Sequence, residues 1–289
     1  MKKILVLGAN GMLGVSLIKK ISEYNYFLET HSRNDTTTYN FDLLDHNLVY
    51  ENLNKILPDV IINLIANTNV DFCEDYPKQA YADNVLSIEN VVDWIKSSNS
   101  GTRFIHISTD QVYDGKGPHK EINTNLTNHY ASSKLSAENL VSSITNSLIL
   151  RTNFFGKSVH RERISFSDWI VNSIKDNKKI TVFNNISFSP LSINTLVDII
   201  IITMSMNETG TYNLGSNSGM SKARFAQELA KSIKLSTKNL IVGSDADFKF
   251  SAYRPKDMRM CCKKFESCFT IKLPDLIDEI NLVGRDYEQ

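Results

Sequence analysis

The stretch "KILVLGANGMLG", residues 3 to 14, constrains this chain more than any other: an apolar, β-rich run meets glycines at 8, 11 and 14 and continues as an amphipathic segment. Glycine tolerates a tight turn and lets backbone approach a neighbour closely. A GxxGxxG turn between a strand and a helix is where the helix N-terminus, with its open N–H groups and dipole, can hold a pyrophosphate. The same turn can serve only to pack a helix against a sheet, so its place in a strand–helix–strand unit carries the argument.

That unit continues. Candidate strands are "KILVLG" at 3 to 8, "YFLETH" at 26 to 31, "DVIINLIA" at 59 to 66, "RFIHIST" at 103 to 109 and "SLILRT" at 147 to 152. Between them, Leu13, Leu17, Ile18 and Ile21 share one helical face, and Val85, Ile88, Val91, Val92 and Ile95 share another. The alternation predicts an α/β fold, a doubly wound, Rossmann-like parallel sheet over residues 1 to 155. Beyond, "FSDWIVNSIKD" and "KARFAQELAKSI" predict a smaller, mostly helical substrate region over 156 to 289, with part of 190 to 215 returning to the first domain. The 32 basic residues equal the 32 acidic ones, so net charge predicts neither nucleic acid nor a membrane surface as partner. The apolar run "ILVL" is too short for an export signal and "LVDIIIITM" too short for a span, so a cytoplasmic protein is expected. Cys73, Cys261, Cys262 and Cys268 lack CxxC spacing and read as free structural thiols.

Cofactor choice is set near the end of the second strand, where "THSRND" offers Ser32 and Arg33. A hydroxyl beside a guanidinium suits the 2′-phosphate of NADPH, with NADH as the alternative and a solvated loop charge as the plain reading of Arg33. Asp42 can accept a hydrogen bond from the adenine amino group or cap the helix that follows. "ISTDQVYDG" ends the fourth strand, where ligands of open α/β sheets collect. About twenty residues later Tyr130 and Lys134 stand one helical turn apart on one face. Lysine beside tyrosine lowers the phenol pKa from its ordinary ~10 and makes it a usable proton donor; chance spacing on a helix is the plain alternative.

Gly8, Gly11 and Gly14, the "STD" of Ser108, Thr109 and Asp110, and Tyr130-x-x-x-Lys134 resemble the extended short-chain dehydrogenase/reductases. Within them the chain is most similar to the dTDP-4-dehydrorhamnose reductases, in "STDxVxDG", "SKLxxE", "LRT" at 150 to 152 and "RPxxxR" at 254 to 259. The resemblance covers essentially the whole chain. It implies an oxidoreductase that uses NADPH to reduce the 4-keto group of a nucleotide-activated 6-deoxysugar, with Thr109, Tyr130 and Lys134 catalytic. The cofactor set it implies is Gly8, Asn10, Gly11, Met12, Leu13, Gly14, Ser32, Arg33, Asp42, Leu43, Ala66, Asn84, Tyr130 and Lys134. The substrate set is Asp110, Gln111, Asn153, Trp169 and Arg254.

Several of these residues have a second reading. Ala66 is small enough to let the nicotinamide half pass, and Asn84 either caps a helix or anchors active-site backbone. Arg254, with Arg259, reads as a diphosphate clamp or as a surface salt bridge, and Trp169 as pocket or as core. Related dehydratases carry Thr-Asp-Glu where this chain has Gln111, a neutral amide that cannot abstract a proton, so dehydration is not expected. His106 reads as a satisfied core histidine. Asp71, Glu74 and Asp75 read as a solvated helix start, and no metal is assigned. A Pro-Leu pair usual before the tyrosine is replaced by "NLTNHY", which opens the sugar, base and keto position. The alternatives are another nucleotide-sugar reductase or epimerase of this fold, or a non-catalytic NADP-binding regulatory subunit. The expected partner is a nucleotide-sugar substrate, and the assembly left open is a homodimer.

Overall fold

The computed structural model describes residues 1–33, 37–159 and 164–288. In chain order the first part runs β1 (Lys3–Leu7), α1 (Met12–Ile21), β2 (Phe27–His31), α2 (His46–Ile56), β3 (Val60–Asn63), α3 (Val70–Asp75), α4 (Pro77–Tyr81), α5 (Ser87–Ser98), β4 (Arg103–Thr109), α6 (His129–Val141) and β5 (Ser147–Thr152). It continues as β6 (Phe154–Phe155), α7 (Phe166–Lys175), β7 (Ile180–Phe183), β8 (Ser187–Phe188), β9 (Leu191–Ser192), α8 (Ile193–Thr203) and β10 (Gly210–Leu214). Last come β11 (Met220–Ser221), α9 (Lys222–Ser232), β12 (Leu240–Gly243), α10 (Lys263–Phe269) and α11 (Leu276–Glu288).

The main sheet has six strands in the order β10-β5-β4-β3-β1-β2. β1 pairs in parallel with both β2 and β3, and β3 with β4, so strand order reverses beside β1 as in a doubly wound sheet. Central strands read as continuous apolar runs because both faces are covered: all four residues of β3 are buried. The expected strands at 3 to 8, 26 to 31, 59 to 66, 103 to 109 and 147 to 152 all form, the third ending at Asn63, where the chain leaves the ladder. The sixth, β10, was not predicted; "GTYNL" lacks the apolar length that marked the others.

The chain divides into two compact units. The first holds Met1–Thr109, Asn128–Arg151 and Val197–Tyr212; the second holds Asp110–Thr127, Thr152–Leu196 and Asn213–Gln289. The first core joins Leu5, Leu7 and Ile61 of the sheet to Val91, Val92 and Trp94 of α5 and to Ala137 and Val141 of α6. Each fully buried aliphatic side chain contributes roughly 1.5–3 kcal/mol. The second unit has its own core, centred on Phe155, Phe188 and Phe225, with Phe155 edge-on to Phe225 at 4.8 Å. Beside its helices it carries short strand pairs, β7 with β12, β8 with β11 and β6 with β9. The four cysteines are free, and burial pushes the Cys73 thiol to about 11 and Cys262 to about 12. Among the described residues, no helix is long and apolar enough to cross a membrane.

Candidate active site

In the first unit, β1 ends in the glycine turn. Gly8 has φ +84°, a left-handed conformation that favours glycine. A Cβ on Gly14 would sit 2.4 Å from the Ala9 carbonyl oxygen, so α1 packs onto the turn at a distance only glycine allows. Gly11 caps α1 without a side chain, and the first turn has no acidic residue. That turn suits a pyrophosphate: no acidic side chain of its own first turn competes for its N–H groups or offsets the dipole. Met12 and Leu13 open the helix, Leu13 buried.

The turn is tied to β2, since Gly8 and Ala9 both donate N–H to the His31 carbonyl at 3.0 Å. Asn10 Nδ2 donates to Ser32 Oγ at 2.9 Å, and that hydroxyl also meets Thr37 Oγ1 at 3.2 Å. Ser32 is buried and Arg33 exposed. Helix capping falls to Asp45, which accepts from the Leu48 N–H at 3.1 Å; Asp42 does not cap α2, and its carboxylate takes the Leu44 N–H instead. Leu43 is buried, its carbonyl held by Asn90 Nδ2 at 2.8 Å.

Past β3, Ala66 is partly buried. Asn84 neither opens nor caps a helix: it lies inside a π-helical turn, Ala82–Leu86, that runs straight into α5. From there its Oδ1 accepts the Asn67 N–H at 2.6 Å while its Nδ2 donates to Ser133 Oγ at 2.9 Å. Ser133 Oγ in turn donates to the Tyr130 carbonyl at 2.8 Å. Asn84 thus fastens the loop after β3 to the first turn of the helix carrying Tyr130 and Lys134.

That helix, α6, starts at an Asn128 cap. Tyr130 is buried against Cys73, Ala80 and Val70. Lys134 is 2% exposed, and its Nζ donates to the Ile107 carbonyl at 2.9 Å and lies 3.5 Å from His106 Nε2. Burial pushes its pKa down to about 8, against a smaller upward pull from Glu138. Glu138 is itself engaged by Arg151 of β5, at 2.6 Å from Nη2, and by Ser108 of β4, at 2.5 Å. The buried lysine therefore keeps its ammonium on a backbone carbonyl rather than on a carboxylate. Thr109 ends β4 and is buried.

α3 carries the acids Asp71, Glu74 and Asp75. Asn69 caps it, Asp71 sits in its first turn, and Glu74 accepts the His129 N–H at 3.0 Å.

The expected substrate residues all belong to the second unit. Asp110 and Gln111 open a 3₁₀ turn, and Asp110 Oδ2 accepts from Asn153 Nδ2 at 2.8 Å. Trp169 is 39% exposed and stacks on Phe166, so the core reading fails for it. Arg254 lays its guanidinium over Phe250 at 4.7 Å. Arg259 is taken by Asp257 through two nitrogens at 2.8 and 2.6 Å, and Asp257 also accepts the Gly117 N–H. Arg259, the second arginine of "RPxxxR", makes a salt bridge.

Lys222 was missed. Its ammonium lies 5.4 Å over the Phe166 ring that Trp169 stacks on, and burial lowers its pKa, with Asp110 raising it and Arg254 lowering it. One amine thus links the surroundings of Asp110, Asn153, Trp169 and Arg254. The available signal was its place as the first residue of α9, where a cation opposes the helix dipole and needs another reason to be there.

The family model described as RmlD substrate binding domain matches residues 1–288. The chain is 28% identical to the dTDP-4-dehydrorhamnose reductase of Sinorhizobium fredii (strain NBRC 101917 / NGR234), over 98% of this chain and 99% of that one. It is also 28% identical to the dTDP-4-dehydrorhamnose reductase of Escherichia coli (strain K12), covering 94% of this chain and 93% of that one. The crystal structure of the Bacillus anthracis str. Ames dTDP-4-dehydrorhamnose reductase, in complex with NADP, has the same fold. It matches with a TM-score of 0.89 at 23% identity over 99% of each chain.

Proposed function

The chain belongs to the RmlD substrate binding domain family, and from that premise we propose that it is an NADPH-dependent reductase of a nucleotide-activated 4-keto-6-deoxysugar, dTDP-4-dehydrorhamnose. The observation that carries this reading is Lys134: a buried ammonium one helical turn after a buried tyrosine, held by the Ile107 carbonyl. Burying such a charge is costly unless it has work to do.

The residues present fit the dinucleotide. The Gly8–Gly14 turn and the start of α1 receive its pyrophosphate, Ser32 and Arg33 its 2′-phosphate, Asp42 and Leu43 its adenine, and Ala66 the passage of its nicotinamide half. When bound, the cofactor supplies a hydride to the sugar C4. Tyr130 donates its phenolic proton to the oxygen that becomes the C4 hydroxyl, and Thr109 gives that oxygen a second hydrogen bond. Lys134 favours the phenolate left behind and holds the ribose of the nicotinamide. Asp110, Gln111 and Asn153 bind the sugar, Trp169 borders it, and Arg254 with Lys222 meets the diphosphate. Gln111 keeps the site from dehydration, because its amide cannot act as a base. The enzyme acts in the cytoplasm, and a homodimer is the assembly to look for by light scattering.

Tyr130→Phe tests the reading. Turnover of dTDP-4-dehydrorhamnose, followed by loss of NADPH absorbance, should fall by about 10²–10⁴-fold while NADPH binding, followed by fluorescence, persists. A wild-type protein that reduces none of a panel of dTDP-, UDP- and GDP-linked keto sugars would overturn it.

A further inference from the structure

His106 is 0% exposed on β4, and its Cα partner across the parallel ladder is Asn63 on β3, itself 1% exposed. The Ile65 N–H donates to Asn63 Oδ1 at 3.2 Å, which turns the amide nitrogen the other way. Asn63 Nδ2 then lies 3.0 Å from His106 Nδ1. An amide nitrogen only donates, so Nδ1 accepts, and the single proton of the neutral ring sits on Nε2. The ring takes no second proton near neutrality, because burial, and after it the charge of Lys134, hold its pKa well below 6.5. The protonated Nε2 edge points at Lys134 Nζ, 3.5 Å away.

We propose that His106 is a positioning residue for Lys134: locked by Asn63 as the Nε2–H tautomer, it meets the lysine amine with a donor rather than an acceptor and so opposes the ammonium form. An ammonium has no lone pair and finds an N–H facing its N–H, whereas a free amine can accept that proton. The ammonium is left with the Ile107 carbonyl as its acceptor. Other groups among the described residues also bear on this amine. Glu138, on its own helix, favours the charge but is neutralised by Arg151 of β5. Tyr130 lies one turn before it. On the elements packed against α6, Glu74 of α3 and Asp83 of the π-helical turn bear on the Cys73 thiol. His106 is thus the polar group of β4 that tips the amine toward losing its proton, in the same direction as burial.

The effect on turnover rests on the catalytic role given to Lys134 above; the tautomer does not. In protein labelled with ¹⁵N-histidine, long-range ¹H–¹⁵N spectra should show the His106 ring neutral and protonated on Nε2 from pH 6 to 10. Its Nε2 signal should shift as Lys134 titrates and stay flat in Lys134→Met, with His106→Gln supplying the assignment. An Nδ1–H tautomer, a ring that protonates near its ordinary pKa, or a signal indifferent to Lys134 would overturn the proposal. In His106→Gln, whose amide oxygen can accept from the ammonium, the alkaline limb of turnover should move up by about one pH unit. A limb that stays put with a folded variant removes His106 from the tuning of Lys134. A wild type that reduces no keto sugar defeats the reductase reading instead and leaves the spectral result standing.

Discussion

Arg151 and Glu138 form a buried two-pronged ion pair: Nη2 stands 2.6 Å from one carboxylate oxygen and Nε 3.0 Å from both, with each residue less than 5% exposed. Ser108 donates to the same carboxylate. The "LRT", "SKLxxE" and "STD" stretches, separate in sequence, therefore meet at one point that pins α6 to β4 and β5. Glu138→Gln or Arg151→Met alone leaves a buried charge without its partner and should lower stability in urea unfolding by about 3–5 kcal/mol. The double variant should cost clearly less than the sum of the two. Additive losses would show that the pair does not act as a unit.

Much of this was legible because it is local. The glycine turn, the apolar strands and the Tyr130–Lys134 spacing depend on residues within a few positions of one another. What escaped depends on partners brought from far away. Asn63 and His106 are 43 residues apart, and nothing in "RFIHIST" says whether the histidine is merely satisfied or aimed at a lysine. Asn84 looked like the start of a helix because i to i+5 bonding has no apolar period of its own to betray a π-helical turn. Asp42 and Asp45 both precede α2, and in the fold it is the second that caps it, accepting from the Leu48 N–H. Trp169 reads from the sequence as pocket or core, yet its neighbour Phe166 packs against Phe225 while the indole stays 39% exposed.

Gly14 should tolerate nothing larger. In Gly14→Ala the new methyl would lie 2.4 Å from the Ala9 oxygen and 2.6 Å from the Gly8 oxygen, both backbone atoms that cannot rotate away. α1 must then lift off the turn, at a cost of about 1–3 kcal/mol, and its N–H groups shift away from the place where a pyrophosphate would sit. Thermal melts should fall, and NADPH affinity, read by fluorescence, should drop at least tenfold. An unchanged NADPH affinity would mean that this turn is not the phosphate site.

Arg33 and Ser32 should separate cofactor choice from cofactor binding. Arg33 is exposed, so Arg33→Ala removes a charge without disturbing packing. Losing a charge-assisted hydrogen bond of about 1.5–3 kcal/mol should raise the NADPH KM roughly tenfold or more while the NADH KM stays where it was. Ser32→Ala breaks the bond from Asn10 that holds the glycine turn against this loop, so it should weaken both cofactors. Equal losses for NADPH and NADH in Arg33→Ala would remove the 2′-phosphate from its duties.

Lys134 should make the protein less stable than it could be, and the deficit should depend on pH. Its pKa is about 8 when folded and 10.5 when unfolded, so between those values the unfolded chain binds more protons than the native one. Stability then rises with pH through that window. Below pH 8 the full cost of burying the ammonium is present; above 10.5 it is gone. Lys134→Met removes the charge at every pH, so urea unfolding of the two proteins, without cofactor, should show wild type gaining on the variant from pH 8 to pH 10. At pH 7 the variant should match or exceed wild type in stability while its turnover is lost. A stability difference that is flat across this range would mean that the amine keeps its ordinary pKa in the folded protein, and with it would go the argument that a buried, easily discharged ammonium serves Tyr130.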